Sequence, residues 1–389
     1  MPDQITSAVK TLEPELAETR HHLHQNPELS DHEEQTARFV AERLRALGLD
    51  VREGVGGYGV VAELKGGRPG PTFALRADMD ALPITEANEV PYKSRNPGVM
   101  HACGHDGHTT TLLGTAKLLT GMRDRLKGSI RFIFQPAEET VGGAKRMCDD
   151  GAMKGVEGIV ALHGWPQVGL GQIGVKSGPM MAGADTFDIV VQGRGAHAAY
   201  PHQAVDPIVI GAQIVTALQT ISSREFDPNE PVVVTVGQFH AGTAYNIIPG
   251  TAILSGTIRT LSREARTTTP DRIRRIAEGI CSAGRATCEF TYREGTPPVL
   301  NDAGMVGLIS EVGQEVLGAD NVVSIPYSSM GAEDFAMYLE HAPGAMFRLG
   351  LGDVSPIHTP TFNFDDRALP IGVELFSRIA LRFLEGKGE

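Results

Sequence analysis

Between residues 36 and 163, short apolar runs alternate with stretches of helical period, and this alternation restricts the fold more than any other feature of the chain. GVVAEL (59–64), TFALRA (72–77), SIRFIFQ (129–135) and GIVALH (158–163) have the length and character of buried strands. TARFVAERLRALG (36–48) and TTTLLGTAKLL (109–119) carry apolar residues three and four apart, which gives a helix one buried face. Strands separated by helices imply a mostly parallel sheet covered on both sides. The expected class is therefore α/β, and in such sheets ligands bind beyond the carboxyl ends of the strands.

Those ends carry a particular chemistry. Asp78 and Asp80 follow TFALRA, Glu138 and Glu139 follow SIRFIFQP, and His163 closes GIVALH. The segment HACGHDGH adds Cys103 and His105, two apart with Gly104 between them, a spacing that in extended backbone points both side chains the same way. Thiolate, imidazole and carboxylate together suit a divalent transition metal better than magnesium or calcium, which prefer oxygen. Candidate partners are Glu138 or Glu139, His163, and His358 in SPIHTPTFNFD. A cysteine nucleophile with a histidine base is the chief competitor, yet two adjacent glutamates have no task in that mechanism. Structural zinc usually takes paired ligands such as C-x-x-C, which the chain lacks. His21, His22 and His24 in RHHLHQNPEL read as an ordinary helix surface and turn.

A second texture begins at residue 186. Strand TFDIVVQG, helix DPIVIGAQIVTALQTIS, strands PVVVTVGQF and TAILSGTIRT, helix REARTTTPDRIRRIAEGICSAG and strand ATCEFTYRE follow the β-α-β-β-α-β order of a ferredoxin-like unit. Asp206 before Pro207 marks a helix start, a capping acceptor followed by a residue whose fixed φ suits the first turn. Beyond this unit the first texture resumes. The expected organisation is a discontinuous catalytic domain, 1–185 with 297–389, and an inserted domain, 186–296.

The formal net charge of -12 argues against nucleic acid or an anionic membrane as partner, because both need basic patches. The N-terminus lacks the apolar core of a signal peptide, no apolar run is long enough to span a bilayer, and the four cysteines make no disulfide framework. A cytoplasmic protein with free thiols is expected.

MHACGHDGHTTTLLGTAKLL, FIFQPAEE, ALHGWP, GRGAHAAYPHQAVDPI, AGTAYNIIPGTAILSGTIRT and MGAEDFAMYL, in that order, resemble the metal-dependent amidohydrolases that include hippurate hydrolases, N-acyl-amino-acid deacylases and plant auxin-conjugate hydrolases. The likeness spans nearly the whole chain. It implies two divalent metal ions (manganese, zinc, cobalt or nickel) held by Cys103, His105, Glu139, His163 and His358, with Glu138 as general base. More distant relatives use an H-x-D motif and a bridging aspartate. Asp78-Met79-Asp80 stands at the former here and Cys103 at the latter, which makes Asp80 a residue that orients a ligand. The resemblance further implies His197 as an oxyanion donor reaching into a second subunit, Asn246 and Arg259 as holders of the substrate carboxylate, and a homodimer formed by the inserted domain. The implied reaction is hydrolysis of a small N-acyl amino acid, hippurate-like first, to a carboxylic acid and an amino acid. A dipeptidase or carboxypeptidase on the same scaffold is the alternative, and a non-catalytic metal-binding protein would not need Glu138.

Overall fold

A computed structural model describes residues 2–386, and its backbone divides into two compact units. The first comprises residues up to Gly178, Leu300–Tyr327 and residues from Asp334 onward; the second comprises Pro179–Val299 and Ser328–Glu333. The second unit thus starts before residue 186 and ends after residue 296, and its strand Gly183–Gln192 already begins three residues upstream of the expected edge.

The first unit is built on an eight-stranded sheet in the order Asp50–Val55, Gly59–Lys65, Lys127–Gln135, Arg68–Asp78, Val156–Trp165, Gly344–Gly350, Ile173–Val175, Val322–Ser324. Its four central strands, from Lys127–Gln135 to Gly344–Gly350, run parallel. The hairpin Asp50–Val55 and Gly59–Lys65 is antiparallel at one side, and Ile173–Val175 runs antiparallel to Gly344–Gly350 at the other. All four strands read from apolar runs are present. Phe73, Leu75, Phe132, Phe134, Val160, Leu162 and Phe347 are fully or almost fully buried in one core with helices Pro2–Gln25, His105–Thr120 and Ala368–Gly386. Each such side chain stabilises the fold by roughly 1.5–3 kcal/mol relative to exposure. Register sets Asp78 level with Gln135, so the carboxyl ends of neighbouring strands meet at one rim.

Helix His105–Thr120 starts four residues earlier than its apolar spacing indicates, because its first turn is polar and buried instead of apolar. Gly104 enters it with φ +89°, a left-handed conformation that suits glycine, and a Cβ there would stand 3.1 Å from the Phe364 ring. Cys103 and His105 therefore come together across a left-handed turn at a helix start, and the expectation of extended backbone between them is corrected.

The second unit holds an antiparallel sheet ordered Val232–Ala241, Thr251–Thr260, Gly183–Gln192, Thr287–Thr296, with helices Pro207–Thr220 and Arg263–Ala283. Its connectivity is β-α-β-β-α-β. Asp206 Oδ1 accepts hydrogen bonds from the N–H groups of Ile208 (2.9 Å) and Val209 (3.4 Å), with Pro207 in the first turn. Among the described residues no helix is long and apolar enough to cross a membrane.

Candidate metal centre

At the carboxyl rim of the large sheet, ligand-type atoms converge from four segments. The donor atoms of Cys103, His105 and His163 lie within 4.8 Å of one another, as do those of Cys103, Glu139 and His358, and those of His105, Glu138 and Glu139. Cys103, His105 and Glu139 each belong to two of these trios, so the three groups adjoin one another. Its Sγ is 3.5 Å from His163 Nε2, and His358 Nε2 is 3.3 Å from Glu139 Oε1. His358 sits at φ +62°, a strained conformation for a non-glycine residue, and its N–H donates to the Ala102 carbonyl.

The imidazoles are oriented by what their other nitrogens do. Although, against the effect of burial, the Asp78 carboxylate raises the His105 pKa well above the usual histidine range, Nδ1 donates to the Asp80 carbonyl at 2.9 Å and lies 3.2 Å from Asp80 Oδ1, which leaves Nε2 to face the other ligand-type atoms. His163 Nδ1 donates to the Gly164 carbonyl at 2.8 Å, with the same result. Burial holds the His163 pKa well below the usual histidine range, so the ring is neutral, as a metal ligand must be. Burial, with the Glu139 carboxylate next to it, pushes the Cys103 thiol up. Without a cation the thiolate is disfavoured.

Three buried carboxylates hold the loop that carries Glu138 and Glu139. Glu33 Oε1 accepts from the Ala137 N–H (2.7 Å), Asp80 Oδ2 from the Glu139 N–H (3.0 Å), and Asp334 Oδ2 from the N–H groups of Gly142 (3.3 Å) and Ala144 (3.0 Å). These bonds stabilise a strained path, with Ala137 at φ +52° and Val141 at φ +54°. Gly143 is required as well, since a Cβ there would lie 1.7 Å from the Pro136 carbonyl oxygen. Burial raises Glu33 to about 7, and it raises Asp334 to about 6 against the pull of Arg76. Arg76 is fully buried and joins Asp78 (2.6 Å) to Asp334 (3.3 Å) beneath the site. Asp78 also accepts from His108 Nδ1 (2.7 Å), while His108 Nε2 accepts from the Gly164 N–H (2.8 Å).

Glu33, Arg76, His108 and Asp334 were not singled out by sequence reasoning. Their signal was weak: Arg76 is one polar residue inside an apolar strand, Glu33, His108 and Asp334 stand beside other polar residues in SDHEEQ, HACGHDGH and MGAEDFAMYL, and only the fold shows what each meets. His24 requires a correction. It is fully buried, not part of a helix surface, with Nδ1 2.8 Å from Asp106 and Nε2 3.0 Å from Glu86. Burial opposes its protonation, but these two carboxylates raise its pKa to about 9. His21 is partly buried against Tyr92 and bonds Asp366, and His22 is exposed. His101, the first histidine of HACGH, stands outside the ligand trios, fully buried and lowered by burial to about 4.

The second unit carries the remaining candidates. His197 is exposed in the short pairing of Ala196–His197 with Ile247–Ile248, and its Nδ1 accepts from the Ala199 N–H at 3.0 Å. Asn246 shares this corner, its carbonyl accepting from the Ala198 N–H at 3.0 Å. Arg259 is half-buried on strand Thr251–Thr260, and burial lowers its pKa.

The donor set fits a transition metal on chemical and geometric grounds. His105 Nε2 and Glu139 Oε1 are buried atoms with no hydrogen-bond partner among the described residues, a costly arrangement unless an ion binds them. Thiolate, imidazole and carboxylate supply the mixed ligand field that such ions accept.

Comparison with known proteins gives the same chemistry. Residues 74–382 match the family described as peptidase family M20/M25/M40. The chain is 48% identical over 300 residues to an N-acyl-L-amino acid amidohydrolase of Geobacillus stearothermophilus, covering 77% of this chain and 81% of the relative. It is 41% identical to thermostable carboxypeptidase 2 of Saccharolobus solfataricus, covering 98% of each. The crystal structure of a dinuclear metal-binding peptidase of the M20 family from Bacillus subtilis superposes with a TM-score of 0.87 at 37% identity, covering 97% of this chain and 99% of the other. With a cysteine-centred cluster of unsatisfied ligand atoms at the sheet rim, this chain belongs to peptidase family M20/M25/M40 and is a metal-dependent hydrolase of amide bonds.

Proposed function

We propose that the protein cleaves N-acyl-L-amino acids, hippurate-like compounds first, to a carboxylic acid and a free amino acid. The observation that carries this reading is the pair of donor trios sharing Cys103 with Glu138 beside them. Cys103, His105, Glu139, His163 and His358 would hold two divalent ions. When bound, such ions lower the pKa of water towards neutrality and polarise the amide carbonyl. Manganese, zinc, cobalt and nickel are all compatible with the donor set.

Glu138, buried at the rim, takes the proton of the attacking water and returns it to the leaving amine. Water adds to the carbonyl carbon, the C–N bond breaks, and the acyl group leaves as the acid. Asp80 orients His105 and Glu139. His197 donates a hydrogen bond to the oxyanion from a second subunit, and Asn246 and Arg259 hold the substrate α-carboxylate.

The partner subunit is a second copy of this chain, paired through the second unit. Strand Val232–Ala241 is an edge of its sheet, and Ile208, Val209, Val233 and Phe239 are exposed apolar residues of that unit. An open edge and solvent-facing apolar side chains are features that pairing covers. The chain's free cysteines suit a cytoplasmic protein.

The test of the site assignment is complementation. A His197→Ala protein should bind metal and dimerise yet turn over slowly, and mixing it with Glu138→Gln under subunit exchange should restore activity. Exchange without recovery overturns the role in trans. The substrate class is tested by comparing N-benzoyl and N-acetyl amino acids with free dipeptides. Preference for the dipeptides would favour the peptidase alternative.

A further inference from the structure

Two half-buried arginines of the large unit meet carboxylates: Arg131 pairs with Glu63, and Arg378 with Glu374. Arg348 does not. It lies on strand Gly344–Gly350, directly opposite His163 in parallel register, so the two side chains leave the sheet on one face. Trp165, two residues beyond His163, shares that face. Its ring centroid is 5.4 Å from that of His163, and the Arg348 guanidinium carbon stands 3.8 Å over it. Together these two distances, 5.4 and 3.8 Å, keep the guanidinium within about 9 Å of the His163 ring.

Stacking on Trp165 uses the face of the guanidinium and leaves its N–H edges free. Nε is buried with no hydrogen-bond partner. Burial lowers the Arg348 pKa to about 10, and among the described residues no carboxylate offsets it. A held, stacked, unpaired cation at the rim of a hydrolytic site has the geometry of a fork awaiting an anion, because the planar guanidinium matches a carboxylate bidentately. In the reading above, Asn246 and Arg259 already take the α-carboxylate.

We propose that Arg348, stacked on Trp165 beside His163, receives a second carboxylate of the substrate, so that N-acyl amino acids bearing a carboxylate beyond the α-carboxylate are the class cleaved best. This inference rests on the amidohydrolase reading. The second carboxylate has two sources, the amino-acid side chain and the far end of the acyl group.

The experiment compares kcat/KM of the metal-restored enzyme within two matched pairs. N-acetyl-L-glutamate against N-acetyl-L-glutamine probes the side chain; N-succinyl-L-alanine against N-butyryl-L-alanine probes the acyl end. In one pair the charged member should be preferred by about tenfold or more, the scale of a charge-assisted hydrogen bond. That ratio should fall to near one in Arg348→Met, whose side chain still covers Trp165, and persist in part in Arg348→Lys, which keeps the charge without the fork. If Arg348→Met does not fold, Arg348→Gln carries the same comparison. A ratio near or below one in both pairs for the unaltered enzyme, or a preference that survives loss of Arg348, overturns the inference while the amidohydrolase reading stands. Failure to cleave any of the four compounds while N-benzoylglycine is cleaved overturns the inference alone, and failure on N-benzoylglycine as well removes both.

Discussion

Asp80 binds His105 and the catalytic loop at once: its carbonyl and Oδ1 both meet His105 Nδ1, while Oδ2 accepts the Glu139 N–H and the Ser30 hydroxyl. One residue therefore orients one candidate ligand and positions another. Asp80→Ala should weaken metal affinity by about 10- to 100-fold, the usual effect of losing a partner that orients a ligand. Competition against a chromogenic chelator measures this, and unchanged affinity would show that His105 is oriented by the backbone carbonyl alone.

Chelation should abolish amide hydrolysis and a divalent ion should restore it. Full turnover in protein shown by elemental analysis to be metal-free would instead make Cys103 the nucleophile.

Glu138 and Glu139 are neighbours in sequence, and the proposed function gives them separable tasks. Glu138→Gln should retain metal and lose about 10²- to 10⁴-fold in kcat, the usual contribution of a general base. Glu139→Gln should lose metal first. Metal content and kcat measured on both variants decide the assignment, and swapped phenotypes would reverse it.

Arg76 neutralises two buried carboxylates, Asp78 and Asp334. Arg76→Leu takes away the cation that joins them, leaving Asp78 only its histidine neighbours, and should destabilise the protein by about 3–5 kcal/mol. Urea unfolding of the metal-free protein measures the loss, and a change below about 1 kcal/mol would show that the carboxylates neutralise themselves by taking up protons.

His24 gives the alkaline limb of stability a definite sign. Its pKa is raised from 6.5 to about 9, so its stabilisation is fully present below 6.5 and is lost as pH rises through about 9. Asp106 and Glu86, held below their ordinary values of 3.8 and 4.5, act the other way: their contribution is present above those values and lost as pH falls. The melting temperature should decline between pH 6.5 and 9, and His24→Gln should flatten that decline. Equal slopes in both proteins would locate the alkaline sensitivity elsewhere.

The large sheet was readable because four apolar runs of strand length lie between helices of clear period, and period alone separates those two states. The ligand types at the strand ends were readable for the same reason: once GVVAEL, TFALRA, SIRFIFQ and GIVALH are strands, Asp80, Glu138, Glu139 and His163 must lie at the rim. The ferredoxin-like order of the second unit and the Asp206 cap followed from equally local rules. What lay beyond local rules was every relation that depends on distant segments meeting. Gly104 takes a left-handed φ, and a Cβ there would crowd the Phe364 ring, 260 residues away, at 3.1 Å. His24 is buried and charged because Glu86 and Asp106 close on it from two other segments, and nothing in RHHLHQNPEL separates it from the exposed His22. Glu33, Asp334 and Arg76 gain their parts from the amides and carboxylates packed against them. A side chain's type is a property of sequence, whereas its burial, charge and partners arise when segments far apart in the chain exclude water together.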